Sequence, residues 1–310
     1  MAMELAKAKN LSNKINEMIN ISQVGDFFGK KNISYLSFGM DDDAINFINE
    51  NREKFQLLIQ NAYEFDKEIE NTYTLAKFQS LLIEKFNSNF IKKKNTNITE
   101  AKAFIEELKI TPIKSFSVSR EIFGIKASSS FENIFFCKFK IHETSKSTPE
   151  FKRKSANSKF NDLNNSNFLI EWQTNARHYE KAIEIADKYF ERFELFLQFI
   201  IGRPTNRFEV GILNYQGWKN LNAYVYDESG TSSKTSENHG AYDKLPIDDI
   251  YLKNSELGHD YVWDLACMSD PNGFQTRIIT AIEWLGQAIS EMSTQNSFLK
   301  AAISLEIIFT

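Results

Sequence analysis

Hydrophobic side chains recur at helical spacing through most of the first hundred residues. The first apolar set at this spacing consists of Leu11, Ile15, Met18 and Ile19. Apolar positions between residues 65 and 86 predict one long helix or two joined helices. Asp41 to Asp43 predict the start of another helix over the apolar residues 44–48, because carboxylates there meet unpaired backbone N–H groups. We therefore expect a largely helical N-terminal region.

The pattern changes after Pro112, where β-branched and aromatic residues replace the helical spacing. Segments 113–118, 122–126 and 133–141 have strand-like composition, and three serines at 128–130 separate two of them as a turn would. This region predicts a small antiparallel β element. The following segment, 144–167, is rich in Ser, Asn and Lys and has no periodicity, which is typical of a linker.

A long amphipathic helix is predicted from Tyr179 to Ile201, where Gly202 and Pro204 end the pattern. Two short strands are expected at 207–213 and 223–226, and a short helix at 261–268. The chain then predicts two more helices, the first beginning after a cap and first-turn proline at Ser269-Asp270-Pro271.

These patterns predict an α+β fold that is mostly helical and divided into two parts. Residues 1–143 are expected to form an N-terminal α+β domain, and residues 144–167 a polar linker. Residues 168–310 would contain the long helix, a strand pair and a C-terminal helical region. A chain of 310 residues is long enough for two separate cores.

Composition excludes several classes of protein. The net charge of −4 and the isoelectric point near 5.8 give no overall attraction to nucleic acid. Cys137 and Cys267 form no CxxC pair, which favours a reducing cytosol and argues against a disulfide framework or a structural zinc site. The N-terminus does not resemble a signal peptide, and no apolar run has the length of a membrane span. We expect a cytoplasmic protein without membrane association.

Few residues form a recognisable chemical site. The sequence has no nucleotide-binding glycine loop, no nucleophile elbow and no histidine pair at metal-ligand spacing, so no metal or cofactor is expected. The basic cluster Lys152-Arg153-Lys154 could follow a nucleic-acid backbone, but a solvated linker is the favoured interpretation. A site built from Glu171, Arg177 and His259 would require these separated residues to converge in one pocket.

The last two predicted helices carry a family resemblance. Residues 277–288, RIITAIEWLGQA, and residues 298–306, FLKAAISLE, resemble the start of an Apea-like HEPN domain, in which an Ala-x-x-Trp-Leu-Gly stretch precedes a helix bearing Leu-Glu. HEPN domains are helical bundles that often dimerise, and many are metal-independent RNases of bacterial toxin and anti-phage systems. The resemblance places Glu306 at the Leu-Glu position, as an accessory residue. It also implies RNA as the substrate of the full-length protein, a phage-derived trigger protein and a homodimer formed through the HEPN helices.

The catalytic signature of that family, an Arg and a His separated by four to six residues, does not occur in this sequence. The final helix also lacks a stop signal, which predicts that the chain is cut from a longer protein. We therefore expect the regulatory or sensing portion of a HEPN-type endoribonuclease, inactive by itself. The alternative is a non-catalytic module that binds protein or nucleic acid through its β element and polar loops.

Overall fold

The computed structural model describes residues 2–25, 35–39, 44–127, 133–143, 168–202, 210–215, 218–219, 223–227, 230–234, 244–291 and 293–309. It confirms an α+β fold that is mostly helical. The chain forms two compact units. The first unit comprises residues 1–114 and 175–181, and the second comprises residues 115–174 and 182–310.

The first unit combines five helices with a three-stranded sheet. The helices are α1 (Ala2–Ile21), α2 (Glu50–Tyr63), α3 (Lys67–Thr72), α4 (Leu75–Lys92) and α5 (Ile98–Ile110). The strands are β1 (Gln23–Val24), β2 (Tyr35–Phe38) and β3 (Ile45–Ile48). They lie in the order β1-β3-β2 and pair antiparallel. The segment predicted as one long helix or two joined helices is therefore two helices, α3 and α4.

Side-chain caps explain where the helices of this unit begin. Asp66 accepts a hydrogen bond from the backbone N–H of Glu68 at the start of α3, and Thr74 accepts one at the start of α4. Asn97 and Glu100 form a reciprocal capping box at the start of α5. Each cap satisfies backbone donors that the helix leaves unpaired, typically contributing about 1 kcal/mol.

The core of the first unit is largely aromatic. Phe47 of β3 stacks on Phe55 of α2 with ring centroids 3.9 Å apart, and Phe78 and Phe86 of α4 pack against Phe104 of α5. The predicted apolar face of α1 is buried in the same core, namely Leu11, Ile15, Met18 and Ile19. The abundance of phenylalanine in the sequence thus serves core packing here.

The helix predicted to follow Asp41–Asp43 is not present. Residues 45–48 form strand β3, and α2 begins only at Glu50. Asp41–Asp43 themselves lie outside the described residues. Three of the four β3 residues are buried, including Asn46, so the segment behaves as the central strand of its sheet rather than as a capped helix.

The second unit is built on a six-stranded sheet. Its strands are β4 (Lys114–Glu121), β6 (Asn133–Phe136), β7 (Phe139–Glu143), β8 (Phe168–Ala176), β11 (Ala223–Asp227) and β12 (Gly230–Lys234), and their spatial order is β12-β11-β4-β8-β7-β6. The pairs β11–β12, β4–β11, β6–β7 and β7–β8 are antiparallel. Short strands β5 (Ile125–Lys126) and β13 (Leu245–Pro246) pair parallel, and β9 (Asn214–Tyr215) and β10 (Trp218–Lys219) pair antiparallel.

Helix α6 (Tyr179–Ile201) packs on one face of this sheet. Phe193 of the helix lies edge-on to Phe136 of β6 and Phe139 of β7. The apolar stripe predicted from the sequence is buried, including Ala182, Ala186, Phe190, Phe193, Leu197 and Ile200. The helix therefore has the predicted length and the predicted buried face.

A charged pair joins the sheet to the same helix. The buried guanidinium of Arg120 in β4 donates two hydrogen bonds to the carboxylate of Asp187 in α6, Nε at 2.6 Å from Oδ1 and Nη2 at 2.9 Å from Oδ2. This bidentate geometry satisfies both groups where water is largely excluded. It also fixes the register of α6 along strand β4.

Three helices complete the second unit, α7 (His259–Ala266), α8 (Gly273–Ser290) and α9 (Thr294–Phe309). Short 3-10 turns at Ile250–Lys253 and Ser255–Leu257 precede α7. The predicted cap at Ser269-Asp270-Pro271 is wrong. Asn272 caps α8 through a capping box with Gln275, so the helix begins two residues after the proline.

The compact units divide the chain differently from the predicted boundary at residues 144–167, which lie outside the described residues. Strand β7, before that segment, pairs with β8, which follows it. The nine-residue strand β8 was not predicted, although it is a central strand of the sheet. Of the two strands expected after α6, the second is β11. The first strand was expected at 207–213, but residues 207–209 are not described. Residues 210–213 form only an isolated bridge, between Gly211 and Phe123.

Gly286 lets α8 cross α6 at backbone contact. A Cβ atom at this position would lie 2.9 Å from the carbonyl carbon of Leu195 and closer still to its oxygen. Real side-chain atoms are not found at such distances from rigid backbone, so the crossing requires glycine. Near the crossing, Arg192 of α6 donates to Glu283 of α8 over 2.9 Å.

We expect Gly286→Ala to lower the free energy of unfolding by about 3 kcal/mol, because α8 must move away from α6 to accommodate one methyl group. Gly273→Ala is the matched control, because a Cβ there meets no atom within 4 Å and Gly273 is the first residue of the same helix. The control should leave stability unchanged or raise it by up to about 1 kcal/mol. Urea denaturation followed by circular dichroism measures both, and equal effects of the two variants would contradict the close crossing.

Candidate functional site

Helices α8 and α9 form an antiparallel pair joined by two serine hydroxyls. Ser297 donates to the backbone carbonyl of Ala288, and Ser304 donates to that of Ala281, each over 2.7 Å. Both the donors and the acceptors are seven residues apart, so the two contacts repeat after two helical turns. Small residues at these positions allow the helices to lie close together.

The other side of α9 is apolar and exposed. Phe298, Ala302, Leu305 and Phe309 follow one another at spacings of four, three and four residues and therefore share a face. Phe298 is 76% exposed and Phe309 is 83% exposed. We call these four residues the outer stripe of α9. An apolar stripe at this spacing is typical of a helix that packs against another helix.

The residues singled out by the family resemblance lie at this helix pair. Trp284 and Leu285 are half-buried on α8, and Leu305 belongs to the outer stripe. Glu306 follows Leu305 on α9 and is exposed, so it lies on the protein surface beside the outer stripe. Lys152, Arg153 and Lys154 lie outside the described residues.

The face of the six-stranded sheet opposite α6 carries polar residues. Because Arg120 points to α6, its neighbour Ser119 and the alternate residue Ser117 point to the opposite face. There Ser117 Oγ donates to Glu171 Oε1 of β8 over 2.8 Å. Lys140 and His142 of β7 lie on the same face, because Lys140 is the cross-strand partner of Glu171 and His142 is two residues further. We call this set the polar face.

Among the residues that the structure describes, two buried atoms of the polar face have no hydrogen-bond partner, Ser119 Oγ and His142 Nδ1. Ser119 is 0% exposed and His142 is 8% exposed. Burial lowers the pKa of His142, an effect that nearby Glu171 opposes and Lys140 reinforces. Sequence reasoning missed this cluster, because its residues come from three strands separated by long stretches of chain.

The residues of the scattered-site alternative have separate local partners. Arg177, in the first unit, donates to Thr72 Oγ1, to Glu68 Oε1 and to the backbone carbonyls of Lys109 and Thr111. Glu171 accepts from Ser117, and His259 Nδ1 lies 2.7 Å from the carbonyl oxygen of Tyr251. Each of the three side chains contacts residues of its own part of the fold. The structure therefore gives no geometric support to a shared site of Glu171, Arg177 and His259.

A small cavity in the first unit has room for about one water molecule. Its volume is about 10 Å³, and it is lined in part by Lys7, Asn10, Asp66 and Phe78. Burial opposes ionisation of Asp66, but hydrogen bonds from Lys7 at 2.8 Å and from Lys109 at 2.9 Å outweigh it and lower the pKa. Asn10 Oδ1 is buried and has no hydrogen-bond partner in the described part of the chain. The cavity is too small for an organic ligand.

In the part of the chain that the structure describes, no helix is long and apolar enough to cross a membrane. The same residues contain no group of three or more His, Cys, Asp and Glu side chains placed to hold a metal ion. His178 lies beside Glu180 with Nδ1 3.6 Å from Oε2, and His239 is outside the described residues.

We expect Ser119→Ala to be neutral or to raise the free energy of unfolding by about 1 kcal/mol, because it removes a buried hydroxyl that has no partner. Ser304→Ala is the control, since its hydroxyl is also buried but bonds to Ala281. That variant should lose about 1 kcal/mol. Chemical denaturation of both variants is the measurement. A clear loss in Ser119→Ala would mean that a bound molecule or water satisfies this hydroxyl in solution.

Stability should fall as the pH drops from about 7 towards 5, in part through His142. Its pKa in the folded protein lies below the unfolded value near 6.5, so the unfolded chain binds the proton more readily in that window. We expect His142→Leu to flatten the dependence of the urea midpoint on pH. Ser304→Ala should lower the midpoint without altering its slope against pH. An unchanged slope in His142→Leu would show that the imidazole protonates as easily in the folded state.

Comparison with known proteins does not assign this chain to a family. No family model, no curated protein and no solved structure matches this chain. The resemblance to a HEPN domain therefore rests only on the sequence of residues 277–288 and 298–306, which lie on α8 and α9.

Proposed function

We propose that this chain is the regulatory or sensing portion of a HEPN-type, metal-independent endoribonuclease that acts in bacterial anti-phage defence. Helices α8 and α9 would be the first helices of its HEPN bundle, and further helices of that bundle would cover the outer stripe of α9. RNA would be the substrate of the full-length protein, and a phage-derived protein its trigger. The full-length protein would work as a homodimer in the cytoplasm.

The outer stripe is the observation that carries this proposal. Phe298, Leu305 and Phe309 expose more than half of their surfaces on one side of α9, while the other side is occupied by α8. Burying three such side chains against another helix would contribute roughly 1.5–3 kcal/mol each. The antiparallel pairing with short connection is also the arrangement expected of neighbouring helices in a bundle.

Catalysis in such a protein would come from residues outside this chain. An arginine would stabilise charge on the scissile phosphate, and a histidine would position or activate the attacking ribose 2′-hydroxyl. None of the four histidines of this sequence has an arginine at the required spacing. Glu306, on the exposed side of α9, would be an accessory residue close to the bundle face.

The first test is the sequence of the gene beyond codon 310. An Arg and a His with four to six intervening residues, within about a hundred codons, would support the proposal. A stop codon at that position would contradict it. The isolated 310-residue chain should not cleave a 5′-labelled RNA in the presence of EDTA, and cleavage by this chain would also contradict the proposal.

The full gene product then tests the outer stripe itself. We expect Leu305→Glu combined with Phe309→Glu to lower metal-independent RNA cleavage at least tenfold, because two charges would prevent the bundle helices from packing. Ile110→Glu is the matched control, since Ile110 is 79% exposed and lies on α5 in the other unit. Equal activity of the paired variant and the control would show that the stripe has no part in assembly of the nuclease.

The second candidate function is a non-catalytic binding module. The same stripe favours it, because an exposed apolar helix face can also receive a helix of another protein. In that case the gene would carry no Arg and His motif, and the charge variants would abolish binding of the partner without any RNase activity to lose.

A further inference from the structure

The two cysteines, 130 positions apart in the sequence, meet in the fold. Cys137 lies in the turn between β6 and β7, where Phe136 and Phe139 pair directly across the hairpin. Cys267 is the residue that ends α7. The backbone N–H of Lys138 donates to Cys267 Sγ over 3.2 Å, and Cys267 Sγ lies 3.7 Å from the carbonyl oxygen of Phe136. Cys267 thus contacts the residue on either side of Cys137.

The two cysteines are close enough for the Cys137 thiol to contribute to the raised pKa of Cys267. A disulfide requires α-carbons about 4.4–6.8 Å apart, and Cys267 Sγ already contacts the backbone on both sides of Cys137. The two sulfurs are not bonded to one another in the structure, and Cys137 is exposed while Cys267 is buried.

The surroundings hold both cysteines in place. Trp263, one turn before Cys267 on α7, packs on Phe136 with ring centroids 4.7 Å apart and stacks on Phe193 of α6. Its indole N–H donates to the carbonyl of Leu252 over 2.8 Å. Cys137 has a φ of 52°, a left-handed backbone uncommon outside glycine, asparagine and aspartate. The turn and the helix end are therefore fixed relative to one another by packing that does not involve the sulfurs.

We propose that Cys137 and Cys267 form a reversible disulfide, with exposed Cys137 as the thiol that first attacks a small disulfide such as oxidised glutathione. The Cys137 thiolate bonds to one glutathione sulfur and releases one glutathione thiolate. The Cys267 thiolate then attacks Cys137 Sγ and displaces the second glutathione. The protein loses two thiol hydrogens, and one oxidised glutathione becomes two reduced molecules. The bond would join the β6–β7 hairpin to the end of α7.

Exposure decides the order of the two steps. Burial raises the pKa of Cys267 to about 12, and its hydrogen bond from Lys138 only partly offsets this. Thiolates react and thiols do not, so the buried sulfur is slow to attack a molecule from solution. Once Cys137 carries a glutathione, however, Cys267 lies beside the mixed disulfide, and proximity compensates for the small thiolate fraction.

The test uses the whole chain, reduced and then incubated with oxidised glutathione, with free thiols blocked by iodoacetamide before digestion without reductant. We expect one linked peptide pair containing Cys137 and Cys267, two thiols lost per monomer and full reversal by dithiothreitol. Cys267→Ser should stop at Cys137 with one added glutathione, and Cys137→Ser should remain unmodified.

Any of three results would overturn the proposal: glutathione on both cysteines with no linked pair, a disulfide between two chains, or modification of Cys137 alone in the unaltered protein. Melting curves of the reduced variants establish that each is folded. The peptide map of the unaltered protein decides the question even where Cys267→Ser fails to fold, because the linked pair is identified by mass in that sample alone.

Discussion

The close approach of α8 to the backbone of α6 at Gly286 is the constraint on which the position of the C-terminal helices depends. Helix α6 uses one side to cover the six-stranded sheet, through Phe193 and the Arg120–Asp187 pair. Gly286 allows α8 to lie against the Leu195 backbone of α6, and α9 in turn packs on α8. The sheet, α6, α8 and α9 are thus successive layers, each positioned by the one before it.

The elements that follow from the sequence are those with a strong local signal. Helix α6 has an unbroken 3.6-residue pattern and a Gly-x-Pro stop, and it spans Tyr179–Ile201 as predicted. Strand β8 has consecutive apolar residues, Phe168 to Ile170, directly after a polar segment, a pattern that a short helix could also show. β3 was predicted as a helix because three aspartates resemble a cap. In both strands, burial in a sheet overrides the local preference.

The polar face and the cysteine pair could not be predicted, because they depend on which strands become neighbours. Ser117, Lys140 and Glu171 are unremarkable one at a time, and only the order β4-β8-β7 brings them to one surface. The apolar residues around Cys137 and Cys267 in the sequence would indicate two buried thiols, but only Cys267 is buried and Cys137 is exposed. Their meeting is set by the way α7 docks Trp263 onto the β6–β7 hairpin. The residues of each site are far apart in the sequence, and no spacing or motif indicates that they meet.

The buried arginine at position 177 has a consequence for synthesis on the ribosome. Its guanidinium donates to the carbonyl of Thr111, which precedes it by 66 residues, and to Glu68, which precedes it by 109. At about 5–20 residues per second, several seconds must pass between the appearance of α5 and that of its arginine. During that interval, the carbonyl groups at the end of α5 must be solvated by water or held by other proteins. Most of the N-terminal unit is synthesised first. Its fold can be completed only after Arg177 is added, and by then much of the second unit's sheet has been synthesised.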